Sequence, residues 1–248
     1  MQGFQKVVGH QEIITHLQNA ISMNKVSHAY LFGGESGSGK KMMASLFAMT
    51  LQCEKHGVEP CMECPSCKKA QSQNHPDIIY VKHEKPNTIS IDEIREQLIN
   101  DVMIKPYSSP YKIYIIDEAQ KLTLQAQNAL LKTIEEPPAY AVVMLLADNP
   151  DALLPTISSR CVQLNLKPVG DQLVKDYLMN EMHVPDYQAE VDASLAQGNI
   201  GKAERIARSP EYEETLESAL RMAKYADSMP LYEIVETIKK SDGRKRQY

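Results

Sequence analysis

The sequence predicts an α/β fold with a mainly parallel sheet, followed by a helical region, and two observations carry that prediction. Short apolar runs at 29–32, 78–81, 112–118, 141–147 and 162–166 are separated by helix-like segments, the alternation expected of strand–helix units. The strand signal then stops at Lys167-Pro168, and only helical periodicities follow. With 248 residues, 43% of them apolar and 24% charged, the chain reads as an ordinary globular protein of one or two domains and a small third one. A net charge of −5 argues against general nucleic-acid coating.

Residues 2–28 read as one amphipathic helix with Ile13, Ile14, Leu17, Ala20 and Ile21 on a stripe, preceded by the segment Val7-Val8-Gly9-His10. Packing explains the stripe. Val8 and Gly9 stand ahead of a glycine-rich loop, where a small apolar segment can line a purine pocket.

That loop, Gly33-Gly34-Glu35-Ser36-Gly37-Ser38-Gly39-Lys40-Lys41, joins the strand at 29–32 to a helix at 42–53. Gly34, Gly37 and Gly39 let backbone N–H groups curl around a polyphosphate, with Ser38 in the loop. The helix N-terminus adds positive dipole, and Lys40 adds charge. The pattern is Walker A in all but its last position, where Lys41 replaces the Ser or Thr whose hydroxyl holds Mg²⁺. The loop is therefore expected to hold phosphates and to be poorly equipped for their metal.

The next segment carries Cys53-x₇-Cys61-x₂-Cys64-x₂-Cys67. Two successive C-x₂-C steps with a returning first ligand suit tetrahedral, structural Zn²⁺ held by four thiolates. His56 lies within the loop and reads as exposed.

Residues 74–81 form a turn feeding a strand. Ser90 and Glu93 have the spacing of a capping box opening a helix to about residue 100. His75 and His83 are assigned to turns and solvent. The run 112–118 reads as a buried parallel strand that ends in Asp117 and Glu118. An isolated Asp-Glu pair there is also a plain helix cap. Downstream of a glycine loop, Asp117 is expected to take the Walker B role and Glu118 to polarise water. A helix at 122–136 is halted by Pro137-Pro138, and the strand at 141–147 leads through Ser159-Arg160-Cys161 to the strand at 162–166.

Helices are expected at 171–182, 186–196, 200–208, 212–225 and 231–240, and the basic stretch 239–246 reads as a solvated tail. Residues 1–20 contain His10, Glu12 and His16 and no secretion-type apolar core, and the longest apolar run, seven residues at 141–147, falls short of the ~20 that span a bilayer. A cytoplasmic location without membrane contact is expected, with the five cysteines as thiols or metal ligands.

In order along the chain, His28-Ala29-Tyr30-Leu31-Phe32, the glycine loop, the cysteine quartet, Asn74-His75-Pro76-Asp77, Asp117-Glu118-Ala119 and Ser159-Arg160-Cys161 resemble an AAA+ subunit of the bacterial DNA polymerase III clamp loader. The resemblance implies an AAA+ P-loop domain at 1–166 with a zinc module at 53–67. A helical lid at 167–208 and the start of a truncated helical collar at 209–248 would follow. It also implies gamma/tau and delta subunits as partners, and a sliding clamp and primer–template DNA reached through the assembly. Within the family, gamma and tau hydrolyse ATP and delta-prime usually does not. Lys41, the Ala147-Asp148 position and Gly201 depart from the motor pattern, and Gly201 stands where motors place a sensor arginine. The resemblance therefore points to delta-prime. Arg160 would be a finger acting in trans on a neighbour's nucleotide, unless it only pairs an acidic surface of its own chain. A gamma/tau-type ATPase, with Glu118 as catalytic residue and Mg-ATP in its own site, remains the alternative.

Overall fold

The computed structural model describes residues 3–209; the expected helices at 212–225 and 231–240 and the basic stretch lie outside the described residues. A single 3₁₀ turn, Phe4–Lys6, precedes α1 (Gln11–Ser22), β1 (Ala29–Gly33), α2 (Lys40–Leu51), α3 (Pro65–Gln71) and β2 (Ile78–Tyr80). Then come α4 (Ile91–Ile94), β3 (Lys112–Ile116), α5 (Leu124–Glu135), β4 (Ala141–Ala147), α6 (Pro155–Ser158) and β5 (Val162–Asn165). Three helices close the series: α7 (Asp171–Met182), α8 (Asp186–Ala196) and α9 (Ile200–Ala207).

The strands form one parallel sheet in the order β2-β3-β4-β1-β5. Successive side chains of a strand point to opposite faces, so the sheet separates two cores. Tyr30, Phe32, Ile113, Ile115, Met144 and Leu146 pack with α2 on one face. Leu31, Tyr114, Ile116, Val143 and Leu145 pack with α4 and α5 on the other. Burial on both faces explains why the central strands are continuous apolar runs without polar alternation. A third, separate cluster, including Val174, Leu178, Ala193 and Ala203, holds α7, α8 and α9 together.

Three elements differ from expectation. The first helix covers only Gln11–Ser22, because Gly9 and His10 adopt left-handed backbone (φ 72° and 56°) and Asn24 does so after its end (φ 52°). Helix α2 starts at Lys40, immediately after left-handed Gly39, so the loop lysines lie inside its first turn. The capping box forms, with Ser90 Oγ accepting from the Glu93 N–H and the Glu93 carboxylate accepting from the Ser90 N–H. Beyond Ile94 the helix widens to a π turn over Arg95–Ile99.

Neither histidine assigned to solvent is there. His75 is buried: its Nε2 lies 3.0 Å from Ser66 Oγ and its Nδ1 accepts from the Asp77 N–H at 3.1 Å. Ser66 Oγ already donates to the Gln52 carbonyl, which fixes the imidazole proton on Nε2, and burial pushes the His75 pKa down. His83 lies at the strand ends, where its Nε2 is 3.4 Å from Glu118.

The cysteine segment is tied to the N-terminal turn through Glu59. Its carboxylate accepts from the Phe4 N–H at 2.8 Å and from Gln18 Nε2 at 2.6 Å. Gly3 has φ 63°, and a Cβ there would lie 2.3 Å from Glu59 Oε2, so a larger residue would strain the turn and displace that carboxylate. Glu59→Ala leaves the Phe4 donor unpaired and should cost about 1–2 kcal/mol. The expected outcome is a lower urea midpoint with hydrogen exchange accelerated at Phe4 and α1 and unchanged on β3 and β4.

Candidate functional site

A cleft of about 960 Å³ opens at the C-terminal ends of β1 and β3. One wall is Val7, Val8, Gly9 and His10; the floor is the loop from Ser36 to Met42; Asp117, Glu118 and Asp148 stand at the strand ends, and Leu173, Tyr177 and Ile200 come from α7 and α9. The sheet order places this edge at the outlet of three strands, where parallel α/β sheets bind ligands.

The loop glycines are required by backbone conformation. Gly34, Gly37 and Gly39 have φ of 147°, 86° and 95°. A Cβ on Gly34 would also lie 2.6 Å from the Leu166 carbonyl, whereas at Gly39 it would meet nothing within 4 Å. Lys40, Lys41 and Met42 open α2, so their N–H groups have no intrahelical acceptor, and all three residues line the cleft. Ser38 Oγ is buried and has no hydrogen-bond partner. An open cradle of N–H groups with an orphaned hydroxyl fits a polyphosphate.

At the strand ends the acids are compensated in pairs, whereas Asp176 and Glu204 on the helical wall pair with no cation among the described residues. Lys40, with 8% of its side chain exposed, spends its three donors on the Gly34 carbonyl (2.7 Å), the Glu35 carbonyl (2.8 Å) and Asp148 Oδ1 (2.7 Å). Lys41 Nζ lies 3.0 Å from Asp117 Oδ2, and Asp117 Oδ1 accepts from the Glu118 N–H at 3.0 Å. Glu118, in left-handed backbone at φ 52°, is held by Lys121 at 2.6 Å and by His83. His10 is pushed down in pKa by burial, opposed by its hydrogen bond with the Ser38 backbone.

Mg²⁺ requires near-octahedral oxygen ligation. Here both Asp117 oxygens are engaged, and an ammonium stands where a ligating hydroxyl would be. Such an ion would have to share or displace the Lys41 ammonium on Asp117 and would find no hydroxyl at position 41, so this donor set fits it poorly.

Helix α9 touches the loop backbone to backbone. The Gly201 N–H donates to the Gly37 carbonyl at 3.0 Å, and Asn199, the cap of α9, donates from Nδ2 to the Ser36 carbonyl at 2.9 Å. A Cβ on Gly201 would lie 2.7 Å from Gly37 Cα, so this position has no room for a side chain.

Val8, Gly9, Gly37, Ser38, Gly39, Lys40, Lys41, Asp117 and Glu118 thus meet in one cleft; Gly34 does not line it, and its carbonyl accepts from Lys40 Nζ. Arg160 is not among the cleft residues. It sits between α6 and β5, 41% exposed, its Nε 3.0 Å from Glu135 Oε1 and its Nη1 donating to the Thr156 carbonyl at 3.0 Å. His83 and Asn199 reach the site only through the fold, whereas Lys121 lies three residues after Glu118, a spacing that could have marked it. Asp148 carried a weak signal, an acid directly after a buried strand.

Cys53, Cys61, Cys64 and Cys67 present four Sγ atoms within 4.8 Å of one another and could hold a metal ion. The N–H groups of Cys61, Cys64 and Cys67 donate to Sγ of Cys53, Cys61 and Cys64 at 3.5, 3.4 and 3.3 Å, favouring thiolates. Backbone donors from Cys64 and Glu63 bring the Cys61 pKa down to about 6, while burial pushes Cys67 up. A tetrahedral ion with metal–sulfur bonds of about 2.3 Å needs sulfurs about 3.8 Å apart. Cys61 and Cys67 are 3.9 Å apart.

Fold and cleft define a P-loop protein of the AAA+ class. Residues 9–170 match the family described as DNA polymerase III, delta subunit, and the chain belongs to that family, among AAA+ subunits of the delta-prime, gamma and tau type. The chain is 38% identical to the DNA polymerase III subunit tau of Bacillus subtilis over 82% of its own length and 36% of that protein's. Subunit delta-prime of the same organism is 35% identical over 83% of this chain and 61% of the relative. The chain thus spans between about a third and three fifths of these two relatives. A gamma subunit-related protein of Thermotoga maritima shares the fold, with a TM-score of 0.51 at 22% identity over 92% of this chain and 76% of that one. The RuvB Holliday junction branch migration motor of the same organism does so with a TM-score of 0.55 at 17% identity over 96% and 72%.

Metal removal should act locally. Chelation is expected to raise hydrogen exchange across α3 and the 53–64 segment while β1, β3 and β4 stay protected; loss of sheet protection on mild chelation would show that the cluster supports the whole fold.

Proposed function

We infer that the chain is a delta-prime-like subunit of the DNA polymerase III clamp loader. It helps assemble the AAA+ ring that loads the sliding clamp onto primed DNA and gives an arginine finger to a neighbouring ATPase subunit. The observation that carries this reading is a contrast between two cations. Lys41 neutralises Asp117 in the position that hydrolysis needs for a metal, whereas Arg160 lies outside its own cleft on an exposed surface. An exposed ion pair such as Arg160–Glu135 contributes on the order of 0–1 kcal/mol, so a neighbour's phosphates can draw the guanidinium away at little cost. Gly201 adds support, since a sensor side chain at that position would strike Gly37.

Residues 1–166 form the P-loop domain in this reading, 167–208 the lid and 209–248 the start of a collar. The four-thiolate set suits structural Zn²⁺, with no open coordination position for chemistry. Gamma/tau and delta subunits are the partners, clamp and primer–template DNA are reached through the assembly, and the location is cytoplasmic. Among the described residues, no helix is long and apolar enough to cross a membrane.

Asp117, Glu118 and the intact glycine loop, with the 38% identity to a tau subunit, favour a second reading, an ATP-hydrolysing gamma/tau-type motor. The two are separable. In the assembled loader, Arg160→Ala should lower ATP turnover at the adjacent site by ~10³-fold, the lower end of the arginine-finger range, with the thermal midpoint of this subunit unchanged. Unchanged turnover removes the finger. Turnover by this chain alone that disappears on Lys40→Ala and on Glu118→Gln establishes the motor.

A further inference from the structure

The Lys41–Asp117 pair does more than disfavour a metal. The Lys41 ammonium has three donors and spends one on Asp117, leaving two directed from the first turn of α2 at a cleft it helps to line. Its side chain is 58% exposed, so those donors are accessible to a ligand. Magnesium in such a cleft would supply positive charge beside the strand-end carboxylate; an ammonium anchored on Asp117 supplies that charge itself and keeps donors for a phosphate oxygen. Lys40 is positioned to join it by exchanging Asp148, one of its three acceptors, for a phosphate oxygen, an exchange of one anion for another. The N–H groups of Lys40, Lys41 and Met42 need no metal to act.

We propose that this cleft binds a nucleoside di- or triphosphate without a divalent cation, Lys41 serving as a tethered internal counter-ion on Asp117. Such binding is independent of the guanidinium donated to a neighbour, since Arg160 lies outside the cleft, and each property can fail without the other.

The test is calorimetric titration of the whole chain with ADP and with ATP, in buffer stripped of magnesium and in buffer containing it. Magnesium is removed by resin treatment of the buffer, and metal analysis verifies that the cysteine cluster keeps its own ion. The expected result is binding of at least one nucleotide with affinities in the two buffers within about twofold of each other. Lys41→Thr, which puts a hydroxyl in place of the ammonium, should weaken magnesium-free binding by about tenfold or more and recover on adding magnesium. Wild-type binding that appears only with magnesium overturns the proposal, as does binding of neither nucleotide in either buffer. Equal magnesium-free affinity of the wild type and a folded Lys41→Thr also overturns it. Because the wild-type titrations decide by themselves, a variant that fails to fold does not rescue the idea.

Discussion

The register of β4 between β1 and β3 is the constraint from which the cleft follows. Gly33 pairs with Ala147 and Ile116 with Leu145, so the glycine loop, Asp117 and Asp148 leave the sheet within two residues of one another along the strand direction. Neighbouring strands lie about 4.8 Å apart, which puts β1 and β3 about 10 Å from each other, within reach of a lysine side chain from the first turn of α2. A slip of one residue in either pairing would turn the whole set of inward side chains to the wrong core and carry the carboxylates away from the loop. Two-sided burial of β4, whose seven residues are all buried, makes such a slip prohibitive.

On this frame the three strand-end acids are each paired. Lys40 answers Asp148, Lys41 answers Asp117, and Lys121 answers Glu118, so the acids that would manage a metal and a water are each held by a cation. The backbone of the phosphate cradle is retained around them. Motif backbone and motif chemistry are thus separable in one chain: glycines at positive φ preserve the shape of the loop, and the single position after Lys40 decides which cation serves it.

Much of this was legible in the sequence because it is local. The buried strands are continuous apolar runs, the cysteine spacing brings four sulfurs together, and Ser90 and Glu93 close their capping box at the predicted spacing. Helices at 171–182 and 186–196 were readable from periodicity alone. What escaped was set by tertiary contact or by backbone sign. Nothing in the pattern 2–28 announces that His10 turns left-handed and breaks the helix, since a non-glycine residue there reads as ordinary. His75 is a loop residue, as its sequence context suggests, and its local partner is Asp77 two residues on; its burial against Ser66 of α3 is the part that only the fold supplies. The contact of Asn199 and Gly201 with the loop joins segments more than 160 residues apart, beyond any window of periodicity.

That last contact closes position 201 to any side chain. Main chain lies against main chain at Gly37 and Gly201, and a Cβ on either residue would come within 2.8 Å of an atom of the other segment. A substitution that put a long side chain at position 201 would have to prise α9 away from the loop and break the Gly201 and Asn199 hydrogen bonds. Two glycines thus act as a latch: α9 lies on the loop main chain to main chain, and the tightness of that contact is set by the absence of two β-carbons.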